Sequence, residues 1–595
     1  MQLVPQVTNV QCGSRQVPIG KTVTIILDPA ALATTRYAAE SLRTELARLF
    51  GADAVILRDR DGARSPGVSV FLDDAAGHLP TGRFPQLRDL PPPGEDGYLL
   101  GVFPLEKAAV VRGHGGDGVI RGVFALAQLA VSDDRGYAWP EVLISDTPDL
   151  RMRFTRGILS DAGRSSRMTV EERLTTELDW WARWGLNYAL LPLRLQQGAQ
   201  EKQFNQWLVE AAHKRGMKVG VNLGGRSLCP SDGIQMDAYL SKVHRLLEMG
   251  CDFFLVLFDD LPRQRLGGHC ERCIRRFGGS LAAEQRFILE AMYDVLSEAG
   301  PDHQLIWCPI YYSLGMTGYI GGAEGPDAYF SILGGSARVR QTFMFHCAFD
   351  RDFNTYLDAK GLKHRVWWYN GIRTDYYMVS REFDGYEGWG PRLRIPGLKD
   401  FHSFFPPFEN GWLMPGYASA RPSLHRCIAP TAQAARDEQG RTVIPRASWQ
   451  ELGHISDCME GIYYCGASAP YHIALAGVFG THPRLFNEQQ AEEAILDALF
   501  SRGGSRYAIA WENAYAQAQM LLARSQGVPL ANDALTRIKG LVAQMETAER
   551  SLKDCAARGK PALPRSVVNG LLAEMNTWRA RVRSLADIAK VPESH

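Results

Sequence analysis

Read for hydrophobic periodicity, the chain changes character twice. Up to about residue 150, short apolar runs alternate with stretches of helical spacing. Residues 22–27 (TVTIIL), 68–72, 97–102 and 108–113 read as strands. Residues 35–50 carry Tyr37, Leu42, Leu46 and Phe50 on one helical face, and 118–129 form a second helix. The pattern predicts a small α/β domain. From residue 153, strand-like runs at 154–160, 187–193, 218–223, 253–258, 304–310, 341–347, 364–368 and 461–465 alternate with amphipathic stretches at 169–184, 201–215, 236–249 and 281–299. Eight strands with helices between most of them predict a (β/α)8 barrel. A long insertion, about 385–453, is rich in Pro, Gly and aromatics and is expected to be an ordered lid or wall. From about 487 the chain is helical, at 489–500, 511–524, 533–554 and 567–589. The expected domains are therefore 1–150, an α/β unit; 151–485, a TIM barrel; and 486–595, a helical bundle.

Composition narrows the classes without choosing among them. The 595 residues are 45% hydrophobic and 22% charged, with a formal net charge of +1, which argues against a nucleic-acid surface or a membrane patch. No apolar run approaches the roughly 20 residues of a membrane span. The first residues lack a basic stretch followed by an apolar one, so the chain is expected in the cytoplasm, or secreted if a signal has been removed. The 11 cysteines are odd in number and scattered through apolar runs, which favours reduced, packing cysteines.

Chemistry is expected where the strands end. The fourth barrel strand is apolar throughout and stops on Asp259 and Asp260. Two acids at the carboxyl end of a buried strand are costly unless partnered or used, and that end is where barrels place their active sites. The plainer alternative is a helix N-cap with an ion-pair partner. Other polar residues fall at equivalent positions: Asp161 after strand one, Arg194 after two, Asn222 after three, Tyr311 and Tyr312 after five, His346 after six, Asn370 and Asp375 after seven. Carboxylates, amides and tyrosines, with Trp367, Trp368 and Trp412, suit a sugar: hydroxyls need hydrogen-bond partners and the apolar ring face needs an aromatic platform.

His269-Cys270-Glu271-Arg272-Cys273 is a single C-x-x-C, whereas a structural zinc site needs four ligands. His346, Cys347, His454 or Cys458 offer others, but no spacing demands them. The motif reads as a packing feature at a helix start, and no metal or cofactor is expected. Gly113-His114-Gly115-Gly116-Asp117-Gly118 lacks the Lys-Ser/Thr of a phosphate-binding loop and reads as a turn.

Taken together, these motifs resemble glycoside hydrolase family 84, the β-N-acetylglucosaminidases that include O-GlcNAcases and bacterial hyaluronidase-like enzymes. Phe258-Asp259-Asp260 is similar to that family's Asp-Asp signature after strand four. Trp368, Asn370, Asp375 and Tyr376 match its W-D-N-Y-P-V-N-D-Y stretch. Pro309-Ile310-Tyr311-Tyr312 matches a Tyr-bearing segment, and Arg156-Gly157 the Arg-Gly that opens the barrel. Residues 471–475 and 483–487 are similar to the helix after strand eight. The N-terminal domain is like the one preceding the barrels of families 20, 84 and 67. Three positions depart from family 84. Arg156-Gly157-x-x-x-Asp161-x-x-Arg164 reads like family 20; Arg194 replaces a Lys; Phe345-His346-Cys347 lacks a W-T-G. The residue after strand eight falls near Cys465-Gly466 in one alignment and at Asp457 in another.

The resemblance implies substrate-assisted, retaining hydrolysis of a terminal β-linked N-acetylhexosamine through an oxazoline. Asp259 would polarise the acetamido group and Asp260 would be the general acid/base. Gly157, Asp161, Arg194, Tyr312, Trp368, Asn370 and Asp375 would bind the sugar. A glycosidase for another sugar, or an inactive carbohydrate-binding homologue, is the alternative. The expected partner is a carbohydrate substrate, with no nucleic acid and no membrane, and a homodimer is allowed.

Overall fold

Strands that are apolar on both faces need two apolar layers to bury them, and the chain meets that demand twice. The computed structural model describes residues 3–58, 67–74, 83–133, 136–155, 168–191, 193, 199–225, 227–259, 270–311, 324–346, 351–368, 435–436, 442–443, 458–461, 474, 477–478, 481–482, 485, 487–523 and 531–588.

The first sheet contains β1 (Asn9–Pro18), β2 (Thr22–Leu27), β3 (Asp53–Arg58), β4 (Val68–Asp73), β5 (Tyr98–Phe103), β6 (Ala108–Gly113), β7 (Val131–Asp133) and β8 (Gly136–Asp146). Its order is β1-β8-β5-β6-β4-β2-β3, with β7 on β8. Helices α1 (Ala33–Phe50) and α2 (Gly116–Gln128) cover one face, where Val23, Ile25, Val70 and Leu72 meet Leu42, Leu46, Val119 and Val123. On the other face Ile26, Phe71, Phe84, Phe103 and Val110 form a smaller cluster. The strand β1 had no hydrophobic signal, because it is polar and almost wholly exposed. Its antiparallel pairing along β8, from Asn9 opposite Ser145 to Pro18 opposite Ala138, defines it.

The barrel is closed and all parallel. Its strands are β9 (Met152–Thr155), β10 (Tyr188–Leu190), β11 (Lys218–Asn222), β12 (Phe253–Leu257), β13 (Gln304–Cys308), β14 (Phe343–His346), β15 (Arg365–Trp368) and, after the short ladder β16 (Ala435–Arg436) and β17 (Thr442–Val443), β18 (Cys458–Gly461). Closure runs through Cys458 opposite Met152 to Gly461 opposite Thr155. The outer layer includes α3 (Val170–Arg183), α4 (Ala199–His213), α5 (Gly233–Glu248), α6 (Glu271–Phe277), α7 (Leu281–Ala299), α8 (Pro326–Gly334) and α9 (Arg351–Ala359). The first barrel strand already includes Met152 and Arg153, ahead of the expected start at 154, and the eighth includes Cys458 to Glu460, ahead of the expected start at 461. The remainders of both expected runs, 156–160 and 462–465, and Asp457 lie outside the described residues. Apart from β16 and β17, the insertion expected at 385–453 lies outside the described residues.

A buried polar cluster joins the first sheet to the foot of the barrel. Arg153 on β9 is 1% exposed and donates to Gly185 O (2.6 Å), Leu150 O and Asp96 Oδ2 (3.2 Å). Asn187 donates to the same Asp96 oxygen at 2.6 Å and accepts from Arg153 N at 2.9 Å. Beside it, Arg121 donates to Asp146 Oδ2 at 2.8 Å. His482 Nε2 lies 2.9 Å from Asp146 Oδ1, close enough for an ion pair but not in hydrogen-bonding alignment. A charge can be buried only when its donors or acceptors are met, so these partners let the two units share one buried interface.

Helices α10 (Glu488–Phe500), α11 (Ser505–Ala523), α12 (Asn532–Arg558) and α13 (Arg565–Ile588) follow the barrel. Glu549 on α12 accepts from Trp511 Nε1 (2.9 Å) and Arg579 Nε (2.8 Å), tying three of them together. Arg48 on α1 donates to Lys560 O at 2.7 Å, so the helices also touch the first domain. Among the described residues, no helix is long and apolar enough to cross a membrane.

Candidate active site at the barrel mouth

The position of the mouth follows from the pleat of β12. Phe253 and Leu255, with Leu257 packed on them, lie in the barrel interior among Met152, Tyr188, Leu190, Ile306, Cys308 and Phe343. Phe254, Val256 and Phe258 lie in the outer layer beneath the helices. Asp259 lies just past the last rung at Leu257–Cys308, at the carboxyl end of this strand. Asp259 is half-buried and engaged by neighbours. The floor beneath it is full. The Tyr188 and Phe253 rings lie 5.2 Å apart, and Gly220 on β11 has no side chain because a Cβ there would sit 2.3 Å from the Phe253 ring. A packed interior leaves the open carboxyl ends of the strands, where barrels place their chemistry.

Neighbouring strand ends separate structural from candidate functional residues. Asn222 ends β11 exposed, and its Oδ1 accepts from Gly224 N at 2.9 Å, as in an Asx turn. Tyr311, a sugar-contact candidate by position, is instead a wall residue. It is 1% exposed, its hydroxyl donates to Glu324 O, and its ring meets Tyr329 edge-on at 5.3 Å. Burial, then Glu324, pushes its phenol up. Glu324 in turn accepts from Ala282 N at 2.6 Å and Ser280 Oγ at 3.1 Å, at the start of α7. Trp368 is on β15 with its backbone opposite Glu460. Gly157, Asp161, Arg194, Asp260, Tyr312, Asn370 and Asp375 lie outside the described residues, as does the side chain of Trp368.

A feature that the sequence reading did not assemble lies on the same side of the barrel. Cys229, after β11, brings its sulfur 3.7 Å from Cys270 Sγ and 3.4 Å from Cys273 Sγ. Cys229 is 41 residues upstream of Cys270, so spacing carried no signal of the pairing.

Two family models match this chain, one on each side of the first barrel strands. Residues 1–147 match domain 2 of glycosyl hydrolase family 20. Residues 196–330 match the model described as beta-N-acetylglucosaminidase, and this span contains β11, β12, β13 and the paired acids. The chain is a glycoside hydrolase, and over residues 196–330 it is similar to beta-N-acetylglucosaminidases. Among solved structures, CpGH84B is 13% identical with a TM-score of 0.60, the match covering 98% of this chain and 91% of that one. CpGH84D is 10% identical with a TM-score of 0.53, covering 100% and 94%. The Flavobacterium johnsoniae chitobiase is 12% identical with a TM-score of 0.48, covering 99% and 93%. No curated protein matches this glycoside hydrolase in sequence.

Proposed function

We propose that this hydrolase removes a terminal β-linked N-acetylhexosamine, of the N-acetylglucosamine kind, by substrate-assisted catalysis with retention. The observation that supports the reading is the position of Asp259 at the carboxyl end of barrel strand four, beyond a filled barrel floor. In the first step the acetamido carbonyl oxygen attacks the anomeric carbon as the glycosidic oxygen leaves. The Asp259 carboxylate accepts the acetamido N–H and stabilises the positive charge that grows there. Asp260 gives its proton to the leaving oxygen. In the second step the Asp260 carboxylate takes a proton from water as that water opens the oxazoline at the anomeric carbon. The protein needs no carboxylate nucleophile, because the substrate supplies the attacking oxygen. Both acids can serve one site although neighbours on a strand face opposite ways, since β12 ends at Leu257, before either of them.

The remaining assignments complete the pocket. Tyr312 would donate to the acetamido oxygen, Asn370 would sit by the acetamido group or the leaving oxygen, and Asp375 would bind the distal hydroxyls. Trp368 would supply the platform, and Gly157, Asp161 and Arg194 the rest of the sugar shell. The family-20-like Asp161 and the Arg at 194 favour a second reading in which the same barrel accepts a different sugar or linkage. The test is hydrolysis of 4-nitrophenyl N-acetyl-β-glucosaminide beside its galacto isomer and the non-acetylated glucoside. Cleavage of the acetylated sugars only is expected. Asp260→Asn should lower kcat on a poor leaving group by about 10²–10⁴-fold, and Asp259→Asn by roughly 10²–10³-fold through loss of charge stabilisation. Cleavage of the non-acetylated glucoside alone, or wild-type rates in both variants, would refute the assignment.

A further inference from the structure

We propose that Cys229, Cys270 and Cys273 are three thiolate ligands of a zinc-class divalent cation that clamps the loop after β11 to the chain returning from the paired acids. The three sulfurs lie within 4.8 Å of one another. Cys229 Sγ is 3.7 Å from Cys270 Sγ and 3.4 Å from Cys273 Sγ. A zinc–sulfur bond is about 2.3 Å, so the edge of a tetrahedron of sulfurs around zinc is about 3.8 Å. The cluster already has roughly that spacing, with every sulfur well beyond the roughly 2.05 Å of a disulfide. Three soft sulfur donors select zinc over magnesium, calcium or manganese, which prefer oxygen.

The scaffold around the sulfurs is built from both segments. Cys270 and Cys273 stand one turn apart at the start of α6, and Cys273 is fully buried. Opposite them, Cys229 N donates to Gln235 Oε1 at 3.1 Å. Arg276 Nη1 donates to Pro230 O at 3.0 Å, and Arg272 Nη2 to Asp232 Oδ2 at 3.0 Å, so α6 is already strapped to the Cys229 loop on either side of the thiols. Arg272 also faces the Cys270 sulfur. That positive charge offsets the single net negative charge of three thiolates on a divalent ion. Each thiol loses its proton to solvent on coordination. Among the described residues no fourth His, Cys, Asp or Glu joins the three. Water completes the tetrahedron.

The placement gives the ion a structural task. The loop with Cys229 follows barrel strand three, and Cys270 caps the start of α6, which follows strand four in the chain. A metal here ties the chain after strand three to the chain after strand four, independent of which sugar is cleaved.

The experiment measures metal in the full chain purified under reducing conditions, incubated with zinc chloride and desalted. About one zinc per chain is expected by elemental analysis, released to a chromogenic chelator only as a mercurial titrates the thiols. Cobalt in its place should show intense sulfur-to-metal charge transfer and the visible bands of a tetrahedral ion. The C229S/C270S/C273S variant should retain less than about a tenth of the wild-type zinc. The mercurial titration needs no variant and stands if that protein fails to fold. The proposal is overturned by wild-type protein with no bound zinc, by zinc that stays when the thiols are blocked, or by a Cys229–Cys273 disulfide in peptides from the reduced preparation.

Discussion

Replacing Gly220 by Ala tests whether the barrel floor sets the height of Asp259. A Cβ at Gly220 would come within 2.3 Å of two Phe253 ring atoms and 2.5 Å of a third. The ring cannot swing away, because Phe253 is fully buried with Tyr188 5.2 Å from it across the interior. Overpacking of this kind costs about 1–3 kcal/mol. Phe253→Leu alone leaves a gap and costs roughly 1–3 kcal/mol by lost burial and cavity formation. The double variant removes the clash and part of the gap together. Its loss should therefore be smaller than the sum of the single losses by about 1 kcal/mol or more. The assay is the urea midpoint of the transition that abolishes near-UV circular dichroism, with all four proteins at one pH. The single Gly220→Ala variant should also lose hydrolysis out of proportion to its stability, since displacing a reacting group by about 1 Å can cost roughly 10²-fold. Phe253→Leu in that background should restore part of the rate. Additive losses, with no recovery of activity, would show that the contact between β11 and β12 does not position the acid.

Tyr311→Phe should cost about 0.5–1.5 kcal/mol for the hydrogen bond to Glu324 O and leave KM unchanged; a KM that rises with stability intact would return Tyr311 to the sugar pocket. Burial, then Asp96, pushes the Asp117 carboxyl up to about 8. Its folded value exceeds its unfolded one, so the stability it allows is complete below about pH 4 and is lost as pH rises through 8. The melting temperature of the wild type should fall relative to that of Asp117→Asn between pH 5 and 8, and parallel profiles would refute the shift. At Asp146, burial pushes upward but His482 and then Arg121 hold the carboxyl down at about 2. Its contribution is present above the unfolded value near 4 and is lost as pH falls toward 2, so acid melting between pH 4 and 2 should be shallower in Asp146→Asn; an equal slope in both proteins would count against the ion pair.

Hydrophobic order along the chain was enough for the architecture. The eight apolar runs after residue 150, each short and most followed by a helix, admit few arrangements besides a closed parallel barrel, because a strand buried on both faces needs helices outside and a packed interior within. Asp259 was legible for the same reason, as a charge at the end of such a run. The strand β1 was not legible, because it is polar and exposed and only its pairing with β8 defines it. The seam strands β9 and β18 were legible as runs but set a few residues late, since Met152 and Cys458 carry their pairing from strands far away in the chain. Cys458 opposite Met152 and Gly461 opposite Thr155 close the ring between its last strand and its first.

Most of the elements, the barrel and the acid at the end of its fourth strand follow from local apolar content and from the cost of burying charge, so the order of residues was enough to place them. Which face each residue takes came from the assembled fold. It sent Tyr311 into the wall by giving its hydroxyl a backbone partner at Glu324. It left Gly220 bare to admit the Phe253 ring. It brought Cys229 to the Cys270–Cys273 pair by laying two neighbouring barrel loops side by side. Those outcomes depend on distances between residues far apart in the chain, which no local pattern encodes.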